Sequence, residues 1–165
     1  MKVKIAFICS ITVVCLSIVA SAAAKPDFSG TWVLDKDRSF SNPAGLEQTM
    51  MVAQTGDQIK VESKVKTQQG EQTINEAFSL DGKEGDFTPP APQPGAKGKR
   101  KASWLADGKH IIVEDVVTSD SPKGPVTRRV TRKWSLSPDG GTLTVDYFFD
   151  DQRGSFEAKR VFIKK

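Results

Sequence analysis

Phe28-Ser29-Gly30-Thr31-Trp32-Val33-Leu34 is the stretch that decides the fold, because it sets a Gly-x-Trp pair at the start of the first predicted strand. The last predicted strand, from Phe156 to Ile163, carries Arg160 on the same side as apolar residues. We interpret Trp32 as the side chain that fills one end of a small β-barrel. Arg160 is interpreted as the residue of the last strand that holds it in place. Gly30, Trp32 and Arg160 are therefore predicted to close one end of the barrel.

Residues 1–24 are predicted to be a cleaved secretory signal peptide. After a basic start, Ile5 to Ile18 is an apolar run that is short for spanning a bilayer, which takes ~20 residues. The small residues that end the leader, Ala20 to Ala24, offer two cleavage sites, and a retained membrane anchor is the competing interpretation. With cleavage, we expect an exported protein, periplasmic or secreted, without stable membrane insertion, and residues 25–165 as one domain.

The two cysteines, Cys9 and Cys15, both lie in the leader. The predicted mature chain of 141 residues (165 minus 24) then has no disulfide, catalytic thiol or zinc–cysteine site, and depends on its hydrophobic core for stability. A chain of ~150 residues buries about 70% of its surface, which is enough for such a core. The formal charge of +4 falls to +2 when the two leader lysines are removed, which argues against nucleic acid as a partner.

Apolar and polar residues alternate with period two after the leader, and no long helical period appears. Turn signals such as Gly56-Asp57 and Asp107-Gly108 recur at intervals that leave room for one strand each. The pattern predicts an all-β fold, a single antiparallel up-and-down β-barrel of eight or nine strands whose first and last strands pair. The predicted strands are 29–35, 46–54, 58–67, 71–80, 98–106, 109–118, 126–136, 142–149 and 155–163.

Two segments interrupt the strands. Asp35 to Gly45 is expected to be a loop with at most one helical turn, and Thr88 to Gly95 cannot form a ladder strand because four of its residues are prolines. The basic run from Lys97 to Lys101 follows directly and is interpreted as a solvated loop. A guard at the barrel mouth and a contact to an acidic envelope surface are its alternatives.

Parity along each strand assigns the residues that face the barrel interior. The apolar residues predicted to face inward are Ile59, Val61, Val65, Ile74, Phe78, Leu80, Ala102, Trp104, Val126, Val130, Trp134, Leu136, Leu143, Val145, Tyr147, Phe149, Phe156, Ala158 and Phe162. On strand 109–118 the face stays open, although Ile111, Val113 and Val117 form the more apolar side.

Several charged residues share the inward parity: Glu76, Arg128, Arg132 and Arg160. Asp115 joins them if the apolar side of its strand faces inward. Isolated charges are rarely buried unless they are paired or hydrogen-bonded. One interpretation is that these residues pair with each other or reach water at strand ends. The other is that surplus guanidinium groups line a cavity and bind an anionic head group.

Gly30-Thr31-Trp32 on the first strand, the β meander behind it and the late Arg160 resemble the lipocalins and the wider calycin superfamily. In that superfamily the Trp of Gly-x-Trp packs across the closed end of the barrel, and an Arg from near the last strand stacks on its ring. The resemblance implies these two roles for Trp32 and Arg160, whose contact would be a cation–π pair.

More narrowly, the chain is similar to a mostly uncharacterised group of small exported bacterial proteins of lipocalin-like type. The stretches that carry this similarity are Gly30 to Asp35, Arg38-Ser39-Phe40, Leu80 to Lys83 and Ser137 to Val145. The chain departs from the wider superfamily, because Val145-Asp146-Tyr147 only partly echoes the Thr-Asp-Tyr block of many lipocalins. Fatty-acid-binding relatives place two helices after the first strand, for which Asp35 to Gly45 is too short. Their Arg-x-Tyr grip on a carboxylate appears here as Arg160-Val161-Phe162, without the Tyr hydroxyl.

Catalytic residues are not predicted. His110 is the only histidine, so no second histidine can share a metal ion, and no nearby serine suggests a triad. Asp150-Asp151 is interpreted as a solvated hairpin tip, since the spacing of its neighbours does not fit a calcium loop. No phosphate-binding loop or nucleotide fingerprint is present. The sequence predicts neither a metal nor a cofactor, and an enzyme that uses the interior carboxylates is the least favoured alternative.

The leading hypothesis is an exported soluble protein that binds a small, largely apolar ligand inside the barrel, hydrophobic or amphipathic, with an anionic one best suited to the arginines. In this hypothesis aromatic rings form walls, two arginines form anchors and a glutamate orients them. The predicted ligand-binding residues are Glu76, Trp104, Arg128, Arg132, Trp134, Tyr147 and Phe149. The alternative is a filled barrel without a ligand that acts through its surface in the cell envelope. A cavity of ~300 Å³ or more would favour the first hypothesis.

Overall fold

The computed structural model of the chain describes residues 25–89, 96–152 and 154–165. The predictions for the leader and for most of the proline-rich segment, residues 90–95, lie outside these ranges. The strands are β1 (Gly30–Phe40), β2 (Glu47–Thr55), β3 (Gln58–Thr67), β4 (Gly70–Ser79), β5 (Asp81–Phe87), β6 (Lys97–Trp104), β7 (Ile111–Ser119), β8 (Val126–Leu136), β9 (Thr142–Asp151) and β10 (Gly154–Lys164). Within the described ranges, no helix has the length and apolar character needed to cross a bilayer.

The strands form one antiparallel sheet in the order β4-β3-β2-β1-β10-β9-β8-β7-β6-β5. β1 pairs with β10 as predicted, with Trp32 opposite Lys164 and Val33 opposite Ile163. The all-β up-and-down barrel is therefore confirmed, with ten strands instead of eight or nine. β4 and β5 are neighbours in sequence but form the two opposite edges of the sheet. The barrel is therefore near-closed, with an opening between these two strands.

β1 continues to Phe40 through residues that were expected to form a loop. Its pairing with β10 shifts register between Asp35 and Phe40. The Asp35 carboxylate accepts the backbone N–H groups of Asp37 and Arg38, and its carbonyl oxygen accepts the Ser39 hydroxyl at 2.6 Å. These local hydrogen bonds stabilise a bulge within the strand, so the predicted loop starts only after Phe40.

β5 lies where no strand was predicted. Its sequence, DGKEGDF, gives no period-two signal because only its last residue is large and apolar. The strand forms because β6 offers a complementary edge, on which Lys101 lies opposite Glu84 and Lys99 lies opposite Asp86. The Lys99 ammonium lies 2.7 Å from an Asp86 carboxylate oxygen. The basic run is therefore part of β6, and the interpretation of it as a loop is wrong.

An aromatic cluster fills the half of the barrel where β1 begins. Phe28 and Trp32 are fully buried, and the Phe28 carbonyl accepts the Trp32 indole N–H at 3.0 Å. The Phe28 ring lies 6.0 Å from the Trp104 ring and 6.1 Å from the Trp134 ring, and Phe78 meets Trp134 edge-on at 6.3 Å. We call these five residues the aromatic floor, and the opposite end of the barrel the mouth.

Most residues predicted to face inward are buried in the structure. This set comprises Ile59, Val61, Val65, Phe78, Leu80, Ala102, Trp134, Leu143, Val145, Ala158 and Phe162. On β7 the apolar side does face inward, since Ile111 and Val113 are fully buried and Asp115 is buried with them. Phe156 is 46% exposed and stacks on Phe149 with ring centres 4.6 Å apart, whereas the remaining apolar residues of the predicted set are half-buried.

Candidate ligand-binding site

The half of the barrel beyond the aromatic floor contains a cavity of about 1070 Å³. The cavity extends to the turns at the mouth, where Gln68, Gln69 and Gln152 line it. Its apolar walls come from Leu46, which directly precedes β2, and from residues of several strands: Val65, Ile74, Phe87, Val117, Val126 and Val130. Ligand sites in proteins typically measure ~300–1,000 Å³, so the barrel is not filled and has room for a small organic molecule.

Four charged residues from four strands form a ring of ion pairs between the floor and the cavity. Arg100 of β6 binds Asp115 of β7 through two hydrogen bonds, of 2.6 Å and 2.9 Å. Arg100 also binds Glu76 of β4 at 2.7 Å, and Arg132 of β8 binds Glu76 at 3.0 Å and Asp115 at 2.9 Å. We call Glu76, Arg100, Asp115 and Arg132 the charge ring. Its two positive and two negative charges cancel.

Arg100, Asp115 and Arg132 of the charge ring are buried, and the ion pairs shift the pKa values of Glu76 and Arg132. The side chains of Arg100 and Arg132 are 6% and 8% exposed. Burial by itself raises the pKa of Glu76, but the attraction of Arg132 and Arg100 outweighs burial and lowers that pKa below its usual value. Burial likewise opposes the charge of Arg132, whereas Glu76 and Asp115 raise the pKa of that guanidinium. A carboxylate held in this way is a weak proton acceptor, so Glu76 is poorly suited to act as a general base.

Arg160 lies in the cavity with partners of a different kind. Its guanidinium donates to the side-chain oxygen of Gln48 at 2.8 Å and to that of Asn42 at 3.3 Å. The guanidinium carbon also lies 4.8 Å from the centre of the Tyr147 ring, which lines the cavity too. Across the described ranges, no carboxylate forms an ion pair with Arg160. This arginine therefore contributes a full positive charge to the cavity.

Arg128 lies nearer the mouth and lines the same cavity. Its side chain is exposed, and its guanidinium carbon lies 5.3 Å from the centre of the Phe149 ring. Phe149 is stacked between Tyr147 and Phe156, with ring centres 5.8 Å and 4.6 Å away. Arg128 is thus a second cation at the cavity, held against aromatic rings at its rim.

The structure brings together only some of the predicted ligand-binding residues. Glu76, Arg128, Arg132 and Tyr147 line the cavity. Three others lie away from it: Trp104, Trp134 and Phe149. The two tryptophans belong to the aromatic floor, where the Trp104 indole N–H donates to Asp57 at 3.2 Å, and Phe149 packs in the aromatic stack at the rim.

Arg160 does not stack on Trp32, so the closure predicted for it needs correction. The ammonium group of Lys164 lies 5.2 Å from the centre of the Trp32 ring instead. The strand register explains the difference, because Trp32 lies opposite Lys164 on β10, four residues beyond Arg160. Gly30 leaves room for this lysine, since a Cβ there would lie 2.7 Å from the Lys164 side chain. Arg160 points into the cavity and contributes to the candidate site.

Reasoning from the sequence missed three residues of this site. Arg100 was assigned to the basic loop, although it shares its strand parity with Ala102 and Trp104, which were placed inside. Gln48 and Asn42, the partners of Arg160, were not singled out. An arginine inside a barrel needs acceptors, but nothing in the sequence shows which amide side chains supply them.

Comparisons with known proteins show relatives of the fold only. No protein-family model and no curated protein matches the chain. A fatty acid transporter, REP1-NXSQ, superposes with a TM-score of 0.57 at 14% identity, covering 84% of this chain and 96% of that one. Lipid binding protein 8 of Caenorhabditis elegans superposes with a TM-score of 0.55 at 14% identity, covering 84% of this chain and 95% of that one.

A third solved structure, secretory abundant heat soluble protein 4 from Ramazzottius varieornatus, superposes with a TM-score of 0.52 at 14% identity. The superposition covers 86% of this chain and 96% of that protein. At this level of identity the three likenesses concern the fold alone. They agree with the ten-stranded antiparallel sheet and confirm the expected lipocalin-like barrel architecture.

Proposed function

We propose that the protein binds one small amphipathic ligand in its cavity, with the apolar body against the walls and an anionic head group on Arg160. The observation that carries this proposal is an arginine without a carboxylate partner among the described residues, inside a cavity of about 1070 Å³. A guanidinium in such surroundings gains most from an anion that brings its own oxygen acceptors. The names of two fold relatives, a fatty acid transporter and a lipid binding protein, agree with this class of ligand.

The proposed anchor differs from the pair expected from the sequence. Arg128 and Arg132 were predicted to hold the head group, with Glu76 orienting them, but Arg132 and Glu76 belong to the neutral charge ring. An anion at Arg132 would have to compete with two buried carboxylates. Arg128 keeps its predicted part in a modified form, as a cation at the rim that attracts the same head group during entry.

We also propose that the protein acts after export, in the periplasm or outside the cell. The support for this proposal is the signal-like pattern of residues 1–24 and the confinement of both cysteines to that segment. An apolar ligand carried between membranes or from the medium would suit such a compartment.

Arg160→Gln tests the proposed anchor, because it removes the positive charge while keeping a polar side chain. We expect the affinity for dodecanoate, measured by displacement of a fluorescent fatty acid, to fall by ~10- to 100-fold, as for loss of a charge-assisted hydrogen bond. The matched control is Arg129→Gln, since Arg129 is exposed on the outer face of β8 and does not line the cavity.

The control variant should bind dodecanoate like the unmodified protein. Equal affinities of Arg160→Gln and Arg129→Gln would show that Arg160 is not the anchor. Absence of any binding by the unmodified protein would refute the proposed function itself.

A further inference from the structure

The arginines inside the barrel differ in how their charge is balanced. Arg100 and Arg132 each contact both Glu76 and Asp115, so four buried charges sum to zero. Arg160 contacts two carboxamides, those of Gln48 and Asn42, which accept hydrogen bonds but carry no charge. The fold thus gives Arg160 two hydrogen-bond acceptors without cancelling its charge.

Gln48 is the buried member of this pair of carboxamides. It is 6% exposed and lies on β2 next to Ser63 of β3, which is 4% exposed. The Gln48 amide nitrogen donates to the Ser63 hydroxyl at 3.5 Å, and its oxygen accepts from Arg160 at 2.8 Å. Because a guanidinium can only donate, the amide oxygen must face Arg160, and the amide nitrogen is then directed to the Ser63 hydroxyl.

A glutamate would fit the same space, since Gln and Glu have nearly the same shape. At this position a carboxylate would lie within ~3 Å of the guanidinium and form an ion pair like those of the charge ring. The choice of amide or acid at residue 48 therefore decides whether the charge of Arg160 is balanced by a neighbouring side chain.

We infer that Gln48 is the specificity-determining residue of the site, a neutral partner that orients Arg160 and leaves its charge for an anionic head group. This inference rests on the proposed function and extends it, because it assigns the preference for anionic over neutral amphiphiles to one side chain. Gln48 acts through Arg160 and is a positioning residue. A cavity with glutamate at this place would favour neutral amphiphiles of the same length.

The test compares Gln48→Glu with the unmodified protein, using dodecanoate and 1-dodecanol as probes that differ only in the head group. We expect the variant to lose at least ~10-fold in affinity for dodecanoate, because a nearby carboxylate repels the anion and occupies Arg160. Its affinity for dodecanol should change by less than ~3-fold, since an alcohol needs no positive charge. A merely structural role of Gln48 would weaken both probes equally.

Gln72→Glu provides the matched control, because Gln72 also lines the cavity but lies on β4 and is not among the described residues that hydrogen-bond to Arg160. The same added charge at that place should shift the ratio of the two affinities by less than ~3-fold. Gln48→Met, which removes the acceptor without adding charge, should keep most of the preference for dodecanoate.

An unchanged ratio of affinities in Gln48→Glu would overturn the inference, and so would equal shifts in Gln48→Glu and Gln72→Glu. Those results would leave the proposed function standing, provided the unmodified protein binds dodecanoate. If the unmodified protein binds neither probe, the proposed function fails and the inference falls with it.

Discussion

At the scale of the residue, the stability of the barrel depends on the charge of Glu76. Glu76 is the member of the charge ring that comes from β4, and it reaches both Arg100 and Arg132. Removing its charge leaves two buried guanidinium groups with one carboxylate between them. A broken buried pair costs ~3–5 kcal/mol, because the remaining charge stays desolvated.

Glu76→Gln is therefore expected to lower the free energy of unfolding by ~3–5 kcal/mol, measured by urea denaturation at neutral pH. The matched control is Glu114→Gln, whose side chain is exposed on the outer face of β7. That variant should stay within ~0.5 kcal/mol of the unmodified protein. Similar losses in both variants would show that the charge ring does not stabilise the barrel.

The stability difference between the unmodified protein and Glu76→Gln is expected to depend on pH. The pKa of Glu76 is lower in the folded protein than its ordinary value of about 4.3, so the folded state binds the proton more weakly than the unfolded state. The stabilisation is fully present above that ordinary value and is lost as the pH falls through the folded pKa. We expect the stability difference between the unmodified protein and Glu76→Gln to shrink below about pH 4.3.

Single residues also show where sequence reasoning reaches its limit. Parity placed Glu76 and Arg132 on the inner face, with Asp115 only if the apolar side of its strand faced inward, and the structure pairs all three. The same rule applied to β6 would have added Arg100, but its basic neighbours suggested a solvated loop. The contact of Lys164, and not Arg160, with the Trp32 ring was not predictable, because it depends on the register of β10 against β1.

At the scale of the element, the pairing of β5 with β6 depends on how closely Phe87 of β5 approaches Gly98 of β6. A Cβ at this residue would lie 2.5 Å from the Phe87 ring and 2.7 Å from the Phe87 carbonyl oxygen. The Phe87 ring in turn lies 4.2 Å from the guanidinium carbon of Arg100. Gly98 therefore lets β5 place an aromatic ring against the charge ring.

Gly98→Ala is expected to destabilise the protein by ~1–3 kcal/mol, the usual cost of overpacking a filled site. Gly85→Ala is the matched control on the paired strand, since a Cβ at Gly85 would meet no atom within 4 Å. Urea denaturation of the two variants gives the comparison. If Gly98→Ala were as stable as Gly85→Ala, the close packing of Phe87 against β6 would be contradicted.

Elements were predictable where their own side chains alternate. β3, β8 and β9 carry clear alternation and were placed to within one or two residues. β5 was missed because it has almost no apolar residues and forms through pairing with β6. The extension of β1 was missed because a bulge interrupts its alternation between Asp35 and Phe40.

At the scale of the whole molecule, the barrel is divided across its axis. The aromatic floor packs one half, the charge ring crosses the middle, and the cavity occupies the half toward the mouth. The parity of a residue along its strand shows whether its side chain faces the barrel interior. Its position along the strand decides whether that side chain lies at the aromatic floor or near the mouth. Trp104 and Trp134 share the face of the cavity residues but lie at the floor, so they support the barrel without lining the cavity.

Methyl NMR during a titration with dodecanoate can show whether this cavity holds one amphipathic ligand. We expect the methyl signals of cavity residues Leu46, Ile74 and Val130 to shift and to saturate at about one ligand per chain. The signals of Ile59 and Ile111, which are fully buried and do not line the cavity, should stay in place. Cavity signals that do not move, or shifts confined to exposed methyl groups such as those of Ile163, would contradict this expectation.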